Sequence, residues 1–265
     1  AWTRPSGSVN LPAVLPTPGG GPTVNGVATD VLSVMMADNS FVDVSLTAIT
    51  PTTVTIAAGP NLGSGPDRVS VGQLMMVTKS STTTLVQVTA VDLAARKLTF
   101  AAGDSLNLNQ PSAANGTLND LNNTAPANTP SVTRITRVRM VTYYLDATTD
   151  PKHPRLVRRI NNGDPMTFDN TSGNAVAIDV ENLMFSFDVV TGTTNPSGVR
   201  MTAIDKTTSG ACNPNACSEQ QIRKVNVALT GRSRSVGKTD RVFRNTLSSQ
   251  VSFRGMAFVD EYKAP

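Results

Sequence analysis

The chain has 265 residues and a formal net charge of +4, with charged residues at only 16%. That length allows one large domain or two joined lobes with a real core. The basic residues are scattered, which argues against the concentrated stripe of a dedicated nucleic-acid binder.

Only three glutamates occur (Glu181, Glu219 and Glu261), while Thr, Ser, Asn, Val and Gly are abundant. This mixture favours strands and turns over helices, so a mainly β chain with antiparallel sheets, one or two in number, is expected.

Residues 1–25 carry Pro5, Pro12, Pro16, Pro18, Pro22 and the run Gly19-Gly20-Gly21, which predicts an extended arm, lying on the surface or poorly ordered. A first β region follows over 26–130. Its cleanest strand is Phe41 to Ala48, where Val42, Val44, Leu46 and Ala48 alternate with Asp43, Ser45 and Thr47. Val54 to Ile56, Arg68 to Val77, Leu85 to Val91 and Lys97 to Phe100 read as further short strands separated by turn signals. The Asn-, Pro- and Ala-rich stretch 101–130 reads as a long loop of the kind that carries interactions. A second β region spans 131–265, the whole forming one compact head.

In that second region Val132 to Leu145, Arg155 to Ile160, Val199 to Ile204 and Val242 to Phe258 read as strands. Within Val176 to Val190, the apolar set Val176, Ile178 and Val180 changes parity to Leu183, Phe185, Phe187 and Val189. A β-bulge at Glu181-Asn182 would keep both sets on the core face. Ile222 to Leu229 follows a capping-box pattern at Ser218 to Gln221, yet its β-branched alternation favours a strand.

Cys212 and Cys217 are the only cysteines, separated by Asn213, Pro214, Asn215 and Ala216. Turn formers between them predict that the chain doubles back into a disulfide, which implies an oxidising, exported environment. The bridge would add about 2 kcal/mol on the chain-entropy account of a short loop. One histidine is too few to complete a zinc site with two thiolates.

That histidine, His153, lies between Pro151 and Pro154 in an expected turn, with nothing nearby in sequence to orient it as a base. No phosphate-loop or dinucleotide pattern occurs, and no run of 18 apolar residues. No catalytic set, cofactor or metal is therefore assigned, and the chain is read as a non-enzyme. Basic residues gather locally at Arg155, Arg158 and Arg159 and at Arg232, Arg234 and Lys238, and the first group is a candidate nucleic-acid contact.

Several segments in order resemble the PilW-type minor type IV pilins, which are related to the J-type minor pseudopilins. They are Val71-Gly-Gln-Leu-Met-Met-Val77, Leu85-Val-Gln-Val-Thr89, Leu106-Asn-Leu-Asn-Gln-Pro111 and Val141-Thr-Tyr-Tyr-Leu-Asp146. Pro154 to Asn161, Val176 to Phe187 and Ile222 to Leu229 complete the series. The resemblance implies an α+β pilin-type head, with an apolar helix and a cleaved leader preceding these residues. It implies a structural subunit that initiates or tips a pilus, with other minor pilins and the major pilin as partners and a tip adhesin as a further one. Such a subunit is anchored in the inner membrane by its helix before it joins a cell-surface filament. Two other readings stay open: an exported adhesin or DNA-uptake pilin head, and a secreted carbohydrate-binding β-sandwich.

Overall fold

A computed structural model describes residues 12–80, 82–113, 116–123, 133–148, 150–161, 174–190, 195, 197–200, 219–233 and 242–252. In chain order the first strands are β1 (Val14–Thr17), β2 (Thr23–Val24), β3 (Val27–Ala28), β4 (Val31–Ala37), β5 (Val44–Ile49) and β6 (Thr53–Ile56). Next come β7 (Leu74–Lys79), β8 (Thr82–Gln87), β9 (Ala90–Asp92), β10 (Lys97–Thr99), the short helix α1 (Leu118–Asn123) and β11 (Thr133–Asp146). The remainder are β12 (Arg155–Ile160), β13 (Asn174–Ile178), β14 (Val180–Val189), β15 (Val199–Arg200), β16 (Ile222–Arg232) and β17 (Arg244–Ser252). The fold is mainly β in several antiparallel sheets, as composition predicts. Among the described residues, no helix is long and apolar enough to cross a membrane.

The chain divides into two compact units. The first contains Met35–Val141 and 159–161; the second contains Pro12–Val34, Thr142–Arg158 and the described residues from 174 onward.

In the first unit β5 pairs with β6, β6 with β10 and β10 with β9, while β7 pairs with β8 and β11. Phe41, Ile56, Met75, Leu98, Phe100 and Ile135 are among the fully buried side chains at its core. The β5–β6 turn is held by Thr50, whose hydroxyl accepts the Thr53 N–H at 2.9 Å, a side chain standing in for a backbone turn bond.

The expected strand Phe41 to Ala48 needs correction. Asp43 sits at φ +59, so β5 begins only at Val44; Phe41 enters the core and Val42 is 49% exposed. Asp tolerates the left-handed region better than a β-branched residue, which makes that break affordable. Leu46 then pairs with Ile56 and Ala48 with Thr55, leaving Thr47 as an extra residue. This bulge reverses the parity, so that Ile49 packs on the core and Ala48 is exposed. Likewise Arg68 to Gln73 precedes β7 instead of joining it, and Leu85 to Val91 is divided between β8 and β9.

The expected long loop is structured wherever it is described. The Asp104 carboxylate accepts the N–H groups of Leu106, Leu108 and Asn109, at 3.3, 2.8 and 2.8 Å. Asn107 takes φ +53 between Leu106 and Leu108, and both leucines are fully buried. Thr117 caps α1 by accepting the Asp120 N–H, and Asp120 accepts the Gly116 N–H at 3.1 Å. Leu118 and Leu121 are thereby buried, and Lys79 Nζ donates to the Leu121 carbonyl at 2.8 Å. Residues 124–130 lie outside the described ones.

In the second unit the predicted surface arm becomes core over its described part. β1 pairs with β4 in the register Val14↔Val34 to Thr17↔Val31, and Val14, Leu15, Val24 and Leu32 are buried. Residues 1–11 are not among those described. β12 pairs with β13, and a separate sheet has the order β15-β14-β16-β17. Leu183, Phe185, Phe187 and Val189 form the heart of this core, as the alternation predicts.

The bulge expected at Glu181-Asn182 is present: Val180 faces Gly231 and Asn182 faces Thr230, with Glu181 extra. A second irregularity precedes it, because Asp179 lies at φ +58 between β13 and β14. Val176 and Ile178 are therefore exposed instead of sharing the core face with Val180, and Ala177 packs inward in their place. Ile222 to Leu229 is strand, preceded by a single 3-10 turn at Glu219–Gln221.

Candidate functional site

The second unit presents an interaction surface at one end of its four-stranded sheet. Register carries two apolar rows across the sheet: Leu183–Leu229–Leu247 and Phe187–Val225–Val251. On β14 both rows are buried, and Leu229 on β16 is half-buried. On β17 the cover ends, leaving Leu247 62% exposed and Val251 also exposed. All nine residues of β17 are exposed, and Phe243 immediately before it is the most exposed large apolar side chain among those described.

The outer edge of β17 has no strand partner among the described residues. Edge strands ordinarily carry Lys, Pro or inward charges that discourage pairing. From Asn245 to Ser252 there is none: the residues are Asn, Thr, Leu, Ser, Gln and Val. Unpaired main-chain donors and acceptors beside two apolar side chains suit an added extended strand, with backbone bonds for affinity and Leu247 and Val251 for selectivity. The sequence signal for this surface was the unguarded alternation inside Val242 to Phe258. Its exposure depended on where β17 falls in the strand order.

The opposite face of the same strands is polar and ordered. Asn226 Nδ2 donates to Asp188 at 2.9 Å, Gln250 Nε2 donates to Asn226 Oδ1 at 2.7 Å, and the Thr230 and Thr246 hydroxyls meet at 2.9 Å. This network aligns β16 with β17 without covering the apolar face. A shallow groove of about 600 Å³ crosses the polar side, lined by Met184, Ser186, Arg200, Asn226, Ser248 and Gln250.

β17 is attached at its start by charge. Glu181, buried at the bulge, accepts from both Arg232 and Arg244. Hydrogen bonding from Arg244 holds its carboxyl below the usual carboxylate range against the opposing effect of burial, with help from Asn25 and Arg232.

The residues singled out from sequence fall in different settings. Arg155 is paired with the buried carboxylate of Asp146 at 2.7 Å. Arg158 is exposed at the opposite parity of β12, and Arg159 belongs to the other unit. Arg155 and Arg158 thus do not share a face. Cys212 and Cys217, with the predicted disulfide, lie outside the described residues, as does the stretch 201–204 expected to extend β15.

His153 differs from expectation, since its Nδ1 pairs with Asp179 Oδ1, 26 residues away, while the ring remains 39% exposed. The left-handed turn at Asp179 aims that carboxylate at the ring, a relationship that neighbours in sequence could not reveal.

Comparison with protein-family models, with curated proteins and with solved structures finds no match to this chain.

Proposed function

We propose that this chain is the β-rich head of a minor type IV pilin, a structural subunit that takes part in starting or tipping the filament. The observation that carries this reading is the apolar face that continues onto an exposed, unguarded edge strand. A subunit whose work is to join neighbours needs such a surface, whereas exposed apolar patches burden a chain that stays alone. The ordered pilin-like segments add support, because Val71 to Val77, Leu85 to Thr89, Val141 to Asp146, Pro154 to Asn161, Val176 to Phe187 and Ile222 to Leu229 each coincide largely with strand. In this reading the partners are other minor pilins and the major pilin, and the place of action is a cell-surface filament.

The test is deletion of the gene in the producing bacterium, with filaments counted by electron microscopy. Loss of surface filaments, with the major pilin retained in the membrane and filaments restored by complementation, is the expected result. Unchanged filament number and length would overturn the proposal.

A further inference from the structure

A cleft of about 460 Å³ in the first unit is lined by Asp38, Ser40, Arg68, Arg137, Arg139 and Asn161, among others. Its only carboxylate among the lining residues is already saturated. Asp38 Oδ1 accepts the Ser40 N–H at 3.1 Å and the Ser40 hydroxyl at 2.7 Å. Its Oδ2 accepts Arg137 Nε at 2.8 Å together with Arg139 Nε at 2.9 Å and Arg139 Nη2 at 2.8 Å. Arg137 is largely committed as well, donating to the carbonyls of Arg68 and Pro66 at 2.7 and 2.8 Å and to the Ser40 hydroxyl.

Three groups retain donors. Arg139 is half exposed and uses Nε and Nη2 on Asp38, leaving Nη1 without a partner among the described residues. Arg68 is exposed, and its side chain makes no bond to a described residue. Asn161 is the informative one, being only 2% exposed. Its N–H donates to the Met140 carbonyl, and the Met140 N–H donates to its side-chain Oδ1, both at 2.8 Å. Its Nδ2 has no acceptor among the described residues. That amide belongs to the cleft lining, where a ligand oxygen would accept from it.

Three guanidinium groups against one carboxylate, with donors left on Arg68 and Arg139, define the chemistry the cleft can take. We propose that this cleft binds the oxyanion group of a ligand, a phosphate or a carboxylate, seated between Arg68, Arg139 and Asn161. Its size suits a small ligand, and arginine forks match the paired oxygens of either group. The inference does not rest on the filament reading, and either can fail alone.

The purified chain is titrated with sodium phosphate and with sodium acetate, against sodium chloride at equal ionic strength, and followed by nitrogen-resolved NMR. Saturable shifts at the side chains of Arg68, Arg139 and Asn161 with phosphate or acetate are expected, and the tighter of the two names the group. Arg68→Gln weakens binding on the order of tenfold, because it removes an exposed charge without disturbing a fold contact. Asn161→Asp keeps the shape and the bond to Met140, tolerates the same φ of +49, and abolishes binding. Shifts no different from those in chloride, or binding unaltered in Arg68→Gln, would overturn the assignment even if Asn161→Asp failed to fold.

Discussion

Arg232 and Arg244 stand directly opposite each other in the β16–β17 register, and both donate to the single carboxylate of Glu181. Like charges facing across a strand pair repel. The bulge that makes Glu181 an extra residue in β14 also brings its carboxylate to both arginines. Glu181→Gln therefore lowers the thermal midpoint by more than Arg244→Gln does, because only the first leaves two facing cations uncompensated. Calorimetry of the two variants checks the ranking; equal midpoints would show that Glu181 only solvates Arg244.

Acid weakens the fold through the same carboxylate and through Asp38. Burial opposes ionisation of Asp38, but the Ser40 hydroxyl, the Ser40 backbone and Arg137 more than offset it and hold the carboxyl far below the usual range. Glu181 is held down chiefly by Arg244. Folded-state values below the unfolded ones mean that these contributions are complete above about pH 4.5 and are lost as pH falls through the folded values. Urea midpoints should stay level from pH 7 to pH 5 as far as these groups are concerned, and then decline. Glu181→Gln should flatten the earlier part of that decline, with Asp38 governing the later part. A parental-type acid limb in Glu181→Gln would remove Glu181 from this account.

Arg137 joins segments far apart in sequence, with its guanidinium on Asp38, Ser40 and the carbonyls of Pro66 and Arg68, and lies 5.6 Å from the Phe41 ring centre. Both members of the Arg137–Asp38 pair are buried. Breaking such a pair from one side costs about 3–5 kcal/mol. Arg137→Met should show that loss in chemical denaturation, with Phe41 becoming accessible to quenchers or exchange. A cost below 1 kcal/mol would mean that Arg139 takes over the carboxylate.

Leu183 and Leu247 occupy the two ends of one cross-sheet row and should respond oppositely. Leu183→Ala removes a buried side chain and should cost about 2–5 kcal/mol. Leu247→Lys places a guarding charge on an exposed edge and should leave stability within about 0.5 kcal/mol. It should reduce association of the chain with itself or with filament partners, read by sedimentation and by recovery of filaments in a complemented strain. Undiminished association in Leu247→Lys would show that partners meet the chain elsewhere.

The strand alternation of Leu183 to Val189, the parity slip at Glu181 and the strand character of Ile222 to Leu229 were all legible along the chain. Each is a short-range property, set by which side chains can face one side of a pleated backbone. The same local reading failed at Phe41 to Ala48 and at Val176 and Ile178. There a single aspartate in the left-handed region, or one extra residue, reversed the parity. Aspartate permits that turn but does not require it, so periodicity alone could not place the break.

Composition and alternation alone thus specify a chain rich in antiparallel strand. The pilin proposal draws on something else, the resemblance of ordered segments to a known family. Which apolar face lies uncovered is set by strand order, since Leu229 and Leu247 alternate alike and differ only in distance from the sheet's edge. The shared carboxylates Asp38 and Glu181, and the donor-lined cleft around Asn161, belong to the tertiary fold for the same reason. Their partners lie 99, 51 and 63 residues away for Arg137, Arg232 and Arg244, and charge pairing depends on proximity in space, which no local pattern encodes.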